Sequence, residues 1–217
     1  MPRRQESRAA TSSSGKLCGL AFMVLFGLSA CTQTNLRTDT RSDAKQRNWP
    51  QRLEQLNAIQ QWDVSGRIAM QTSDDAWSAS MSWKQTGDDY DIRLFGPLGG
   101  KALSIKGGED YVFLTTDKGE TFSDANATRL IYRQTGWQVP VEGLRYWARA
   151  LAAPEAPSKQ VFDQVGRLSE LHQSDWTIYY QDYRIINNLE MPRKMRMVNE
   201  HFTVKLVLRD WQLPGDS

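Results

Sequence analysis

Between Trp77 and Lys84 the chain alternates strictly: Trp77, Ala79, Met81 and Trp83 are apolar, and Ser78, Ser80, Ser82 and Lys84 between them are polar. A period of two belongs to a strand, whose successive side chains point to opposite faces; a helix would scatter these apolar groups around its axis. This segment therefore has one dry face and one wet face. The same period recurs along the chain. Trp62, Val64, Ile68 and Met70 alternate with Asp63, Ser65, Arg67 and Gln71, and Tyr90, Ile92 and Leu94 follow a turn at Gly87-Asp88-Asp89. Leu103 and Ile105 come next, then Tyr111 to Thr116 beyond Gly107-Gly108. Later strands are expected at Trp176–Tyr180, Met195–Val198 and Phe202–Leu208. One-sided alternation broken by short turns predicts an antiparallel sheet with one solvated face.

Three segments break this rhythm. Trp49-Pro50 opens a run in which Leu53, Leu56 and Ile59 recur at three-residue spacing, with proline suited to a first helical turn. Asp124 to Gln134 reads as a helix capped by Asp124 and stopped at Gly136, and Val141 to Ala152 as another, with Leu144, Trp147, Ala148 and Leu151 on one side. Ala152 to Pro157 then makes a loop. The expected fold class is mostly β with α: one curved antiparallel sheet with helices covering its apolar face. On pattern alone a filled core explains that face. The many tryptophans and methionines leave a ligand cavity open as a second explanation.

The N-terminus carries a different message. Arg3, Arg4, Arg8 and Lys16 precede an apolar run from Leu17 to Leu28, too short for the ~20 residues of a helical membrane span. The run ends in Leu28-Ser29-Ala30-Cys31, small residues placed directly before a cysteine, as lipoprotein signal peptidases require. The expected organisation is a signal peptide over residues 1–30, an acylated Cys31 with a polar tether to residue 48, and a single folded domain over 49–217. Covalent diacylglycerol and an N-acyl chain on Cys31 are the only non-protein groups expected. Under the sorting rule of enterobacterial lipoproteins, Asp after the acylated cysteine signals inner-membrane retention, so Thr32 points to the outer membrane.

The full chain has 27 basic and 25 acidic residues; the first thirty hold four and one, leaving 23 against 24. The basicity thus belongs to the export signal, and no nucleic-acid footprint is expected. Catalytic material is sparse. His172 and His201 are the only histidines, and the cysteines are confined to Cys18 in the apolar run and Cys31. No metal site and no Gly-x-Ser-x-Gly elbow is expected. Gly99-Gly100-Lys101 has Ala102 where a phosphate loop needs Ser or Thr. The chain is not expected to be an enzyme. One loop, Leu94-Phe95-Gly96-Pro97-Leu98-Gly99-Gly100, places a large apolar residue, Leu98, at a turn tip that is ordinarily polar.

Taken together, the lipobox, Trp-x-Val-x-Gly-Arg-Ile at Trp62–Ile68 and the Leu94–Gly99 loop resemble the outer-membrane lipoprotein receptor LolB family. Leu144 through Trp147 to Leu151 and Trp-x-x-x-Tyr at Trp176–Tyr180 strengthen the likeness. The resemblance implies an incomplete antiparallel β-barrel whose opening is closed by helices, and a cavity that accepts lipoprotein acyl chains. It implies a monomer, lipid-anchored in the outer membrane and facing the periplasm. Its partners would be a LolA-type periplasmic carrier, acylated lipoprotein cargo and outer-membrane lipid, with Leu98 as the membrane-insertion residue. Alternation and resemblance together nominate Val64, Ile68, Met70, Trp77, Met81, Trp83, Ile92, Leu94, Leu103 and Ile105 for the cavity, with Leu144 and Trp147 on the lid. A lipoprotein that binds another amphiphile, or a structural outer-membrane lipoprotein, remain the alternatives.

Overall fold

The computed structural model describes residues 49–96, 101–154 and 156–214. The expected signal peptide, Cys31, its tether and Leu98 lie outside the described residues.

Helix α1, Trp49–Ala58, leads into six successive strands: β1 Gln61–Gln71, β2 Ala76–Thr86, β3 Asp89–Phe95, β4 Lys101–Gly107, β5 Val112–Thr116 and β6 Thr121–Asp124. Helices α2, Ala127–Thr135, and α3, Val141–Trp147, come next. Five strands close the chain: β7 Ser158–Phe162, β8 Leu168–Gln173, β9 Trp176–Ile186, β10 Leu189–Val198 and β11 Thr203–Gln212. All eleven form one antiparallel sheet in the order β6-β5-β4-β3-β2-β1-β11-β10-β9-β8-β7. The first and last strands are neighbours in the middle, and the two free edges are β6 and β7. The segment joining those edges is the one that carries α2 and α3. The sheet does not close into a barrel, and its helices stand on the connection between its open edges.

Alternation sets the dry face. In β2 Ala79, Met81, Trp83 and Gln85 are buried while Ser78, Ser80, Ser82 and Lys84 are exposed. In β11 Val204, Leu206 and Leu208 are buried. The core is one cluster running from Leu56 and Ile59 of the N-terminal segment to Trp211 and Leu213.

Local chemistry moves several expected boundaries. Asp124 ends β6 rather than capping α2. Its carboxylate accepts from the Arg129 guanidinium and from the Asn126 N–H, and Asn126 is the cap, its Oδ1 accepting from Arg129 N at 2.7 Å. Gly136 does stop the helix, in a left-handed conformation (φ 75°) with its N–H donating to Tyr132 O. The second helix ends at Trp147, not at Ala152, because the chain turns at Ala150 (φ 59°) and Leu151 N bonds back to Tyr146 O. Beyond the expected loop lie β7 and β8, which show no period of two. Ser158 to Val161 are all exposed, and the β7–β8 pairing is interrupted between Val161 and Phe162.

The glycine of Trp-x-Val-x-Gly-Arg-Ile also acquires a reason. The β1–β11 register breaks between Ser65 and Gly66, and β11 passes so close that a Cβ on Gly66 would lie 2.0 Å from the Val207 carbonyl oxygen. The obstacle is backbone in mid-sheet, so it cannot rotate away. Gly66→Ala is expected to cost about 1–3 kcal/mol through overpacking, read as a lower thermal midpoint. An unchanged midpoint would mean that β11 yields freely at its bulge.

Candidate functional site

The dry face of the sheet and the helices that roof it enclose a cavity of about 60 Å³ whose surface is entirely apolar. Ile68 and Met70 of β1, Met81 and Trp83 of β2, Ile92 and Leu94 of β3 and Leu103 and Ile105 of β4 line one side. Met197 of β10 and Val204 and Leu206 of β11 continue the wall across the middle of the sheet. The roof is Ile131 of α2, Trp137 and Val139 between the helices, and Val141 and Leu144 of α3.

Nine of the twelve nominated residues surround this space: Ile68, Met70, Met81, Trp83, Ile92, Leu94, Leu103, Ile105 and Leu144. Three sit elsewhere. Val64 is buried at the opposite end of β1, in register with Trp83 and Trp211, where the indoles of Trp62, Trp83 and Trp211 pack together and fill the space. Trp77 stands at the start of β2, half-buried, with its ring 5.0 Å from that of Trp137, and borders a separate shallow depression. Trp147 turns toward β8 and β9: its Nε1 donates to Gln173 Oε1 at 2.8 Å, and its ring lies 6.4 Å from Trp176. The hydrogen bond to Gln173 holds this indole on the β8 side, away from the cavity. The residues sequence reasoning missed are Ile131, Trp137, Val139, Val141, Met197, Val204 and Leu206. The alternation of β11 marks two of them as inward-facing, but not as neighbours of β1.

Polar ties hold the roof in place around this apolar centre. Thr128 Oγ1 of α2 donates to Glu142 of α3 at 3.0 Å, and Arg145 pairs with Asp88 in the β2–β3 turn. Arg149, just past α3, is buried and donates to the carbonyls of Leu56 at 3.2 Å and Ile59 at 2.5 Å, at the C-terminal end of α1. Burial pushes its guanidinium down to about 10, so it stays charged at neutral pH, where the partial negative charge of a helix end favours it. Gln173 pins the loop after α3 through four bonds, accepting from Trp147 Nε1 and Ala153 N and donating to the carbonyls of Ala153 and Ala156.

A larger depression of about 360 Å³ adjoins the cavity and shares Trp83 and Val141 with it, but Gln85, Asp88, Tyr90, Glu109, Glu142 and Arg145 make it polar and wet. Burial, followed by the Glu142 charge, raises the Tyr90 hydroxyl above its ordinary range. Only the smaller space has a wholly apolar wall. Among the described residues no group of three or more His, Cys, Asp or Glu is placed to hold a metal ion.

An open antiparallel half-barrel roofed by helices over an apolar space defines a class of fold. A putative outer membrane lipoprotein-sorting protein domain from Vibrio parahaemolyticus shares it, with a TM-score of 0.51 and 11% identity over 77% of this chain and 92% of that one. Sequence is more specific. Residues 60–211 match the family of the outer membrane lipoprotein LolB. The outer-membrane lipoprotein LolB of Alkalilimnicola ehrlichii is 38% identical, covering 91% of this chain and 96% of its own. That of Nitrosococcus oceani is 36% identical, covering 91% and 99%. The chain belongs to the LolB family of outer-membrane lipoproteins.

Seating of the roof depends on pH at one point. The Arg129 side chain first, and then the Asn126 N–H, hold the Asp124 carboxyl down at about 2, against an ordinary 3.8. A depressed carboxylate stabilises the fold above its unfolded pKa and loses that contribution as pH falls through the folded one. The start of α2 is therefore expected to loosen between about pH 4 and pH 2, seen as faster amide exchange at Arg129 and Leu130. An Arg129→Gln variant should shift that loosening to higher pH. Identical profiles for the two proteins would remove Asp124 from the account.

Proposed function

We infer that this chain is an outer-membrane-anchored receptor that accepts acylated lipoproteins from a LolA-type periplasmic carrier and inserts them into the outer membrane without nucleotide. Family membership supports the reading, and one observation gives it a mechanism: a wholly apolar cavity between the sheet and its helical roof. The acyl chains of a lipoprotein cost ~0.8 kcal/mol for each methylene left in water, so free diffusion through the periplasm is closed to them. Passing them between two apolar cavities avoids most of that cost. A difference of ~1.4 kcal/mol between the cavities biases the transfer tenfold, and no step requires catalysis.

The resting cavity is small, about 60 Å³, room for a few waters at ~10–15 Å³ each. An acyl chain of a dozen or more methylenes is several-fold larger. Loading therefore needs α2 and α3 to lift from the sheet, with acyl chain replacing helix against the same apolar wall. Much of the surface uncovered by the lift is covered again by the cargo, which keeps the net cost of opening small. Diacylglycerol and an N-acyl chain on Cys31 anchor the protein, the tether lets the domain face the periplasm, and Leu98 probes the bilayer. One buried leucine contributes ~1.5–3 kcal/mol, too little to hold a protein on a membrane and enough to bias an encounter.

The test is to mix the mature, unacylated chain with a LolA-type carrier loaded with labelled lipoprotein, without membranes or nucleotide. Movement of the label onto this chain is expected. Label that stays on the carrier, with this chain folded, overturns the receptor reading and favours another amphiphile or a structural role. In the anchored protein with liposomes, Leu98→Glu should still take up label but release it into the bilayer more slowly. Release at the normal rate would remove Leu98 from the insertion step.

A further inference from the structure

The wet face of the sheet is not uniform. On its flank the cations are matched: Lys84 pairs with Asp63, and Arg93 and Lys106 both pair with Asp91. In the middle, on β10, β11 and β1, four cations lie together, none of them in a direct ion pair among the described residues: Arg67, Lys194, Arg196 and Lys205; Lys194 stands opposite Asp182, whose carboxylate is held by Arg193. Register makes them neighbours. Arg196 is directly opposite Lys205, and Lys194 and Arg67 stand on either side of Val207. Adjacent strands are ~4.8 Å apart, so cations on neighbouring strands of this group lie within about one screening length at physiological salt, ~8 Å, and the whole group spans two strand spacings.

Like charges directly opposite on paired strands destabilise a sheet. Arg196 is partly relieved by the Tyr179 ring, 4.4 Å from its guanidinium carbon. Lys205 has no such relief. The acids near this group are Asp182, opposite Lys194 and paired with Arg193, and Asp210, which accepts from the Ser65 hydroxyl at 2.6 Å; they are fewer than the cations. Without the export signal the chain has 23 basic and 24 acidic residues, so this is a local concentration and not a consequence of net charge. It is also placed toward one connection: Arg67 is opposite Ser80, which is opposite Phe95, the last residue of β3 before the β3–β4 connection.

We propose that the face formed by Arg67, Lys194, Arg196 and Lys205 docks on the headgroups of anionic phospholipids. An outer-membrane lipoprotein is already confined beside a bilayer, where a cluster of basic side chains is attracted by anionic headgroups and a modest attraction suffices to set orientation. Docking this way lays the solvated face of the half-barrel on the membrane and leaves the helical roof turned away from it. The proposal rests on outer-membrane anchoring and not on cargo transfer, so either can fail without the other.

The experiment uses the full acylated protein in vesicles of phosphatidylethanolamine, alone or mixed with phosphatidylglycerol, and measures the rate of amine modification at each lysine. Lys194 and Lys205 should react several-fold more slowly in the anionic vesicles and recover at about 1 M salt, where the screening length falls to ~3 Å. Lys84 and Lys159 should react alike in both. An R67Q/R196Q variant, which keeps both reporter lysines, should lose most of the protection. Equal rates at Lys194 and Lys205 in the two vesicles would overturn the proposal, as would uniform slowing at all four lysines. Protection that arises only when the carrier is added would also overturn it and assign the face to an acidic protein.

Discussion

An eleven-stranded sheet, alternating along most of its strands, presents one continuous dry surface, and because β6 and β7 do not pair, that surface cannot seal itself. The rest of the architecture follows from this constraint. A closed barrel would bury its own interior. An open one needs a cover, and the chain supplies it from the segment that spans the gap between the two edges. α2 and α3 are short, of nine and seven residues, below the length at which helices are stable alone. Their stability comes from Ile131, Val141 and Leu144 against the sheet, so roof and cavity exist only together.

A roof held by apolar contact alone would be hard to direct. Here the polar ties are concentrated around α3: Arg145 to Asp88, Thr128 to Glu142, Arg149 to the end of α1, and Gln173 to the loop that follows. The Trp137 end of the roof meets the sheet rim through the Trp77 ring instead. Two kinds of attachment thus hold one cover. Apolar contacts can be exchanged for an acyl chain at little net cost, whereas the hydrogen bonds of Gln173 and Arg149 have no equivalent partner in a lipid. Opening that begins at the Trp137 side and pivots about the α3 side is the motion such attachments favour.

How much of this the sequence reveals depends on whether a contact is local. Period two in β2 and β11 identifies the dry face, and the Gly136 stop identifies the end of α2, because both are written in neighbouring residues. The β1–β11 pairing is not. Nothing in the alternation of Val204 and Leu206 says that they will stand beside Ile68 and Met70, so the wall they contribute emerges only from topology. Trp147 and Val64 illustrate the converse. Both are apolar and on the expected faces, but an indole N–H seeking Gln173 and an aromatic cluster at the far end of β1 draw them away from the cavity. β7 is silent because Ser158 to Val161 are exposed on both sides and only Phe162 at its end packs inward, leaving no burial pattern to read.

The claim on which everything else rests is that cargo acyl chains occupy the space beneath the roof. A photoactivatable residue placed singly at Ile92, at Leu144, or on the opposite face at Val207 tests it directly, after delivery of lipoprotein with labelled acyl chains by a LolA-type carrier. The account predicts crosslinks from Ile92 and Leu144 to the acyl chains and none from Val207. Crosslinking from Val207 alone, or equally from all three, would contradict it and place the lipid outside the half-barrel.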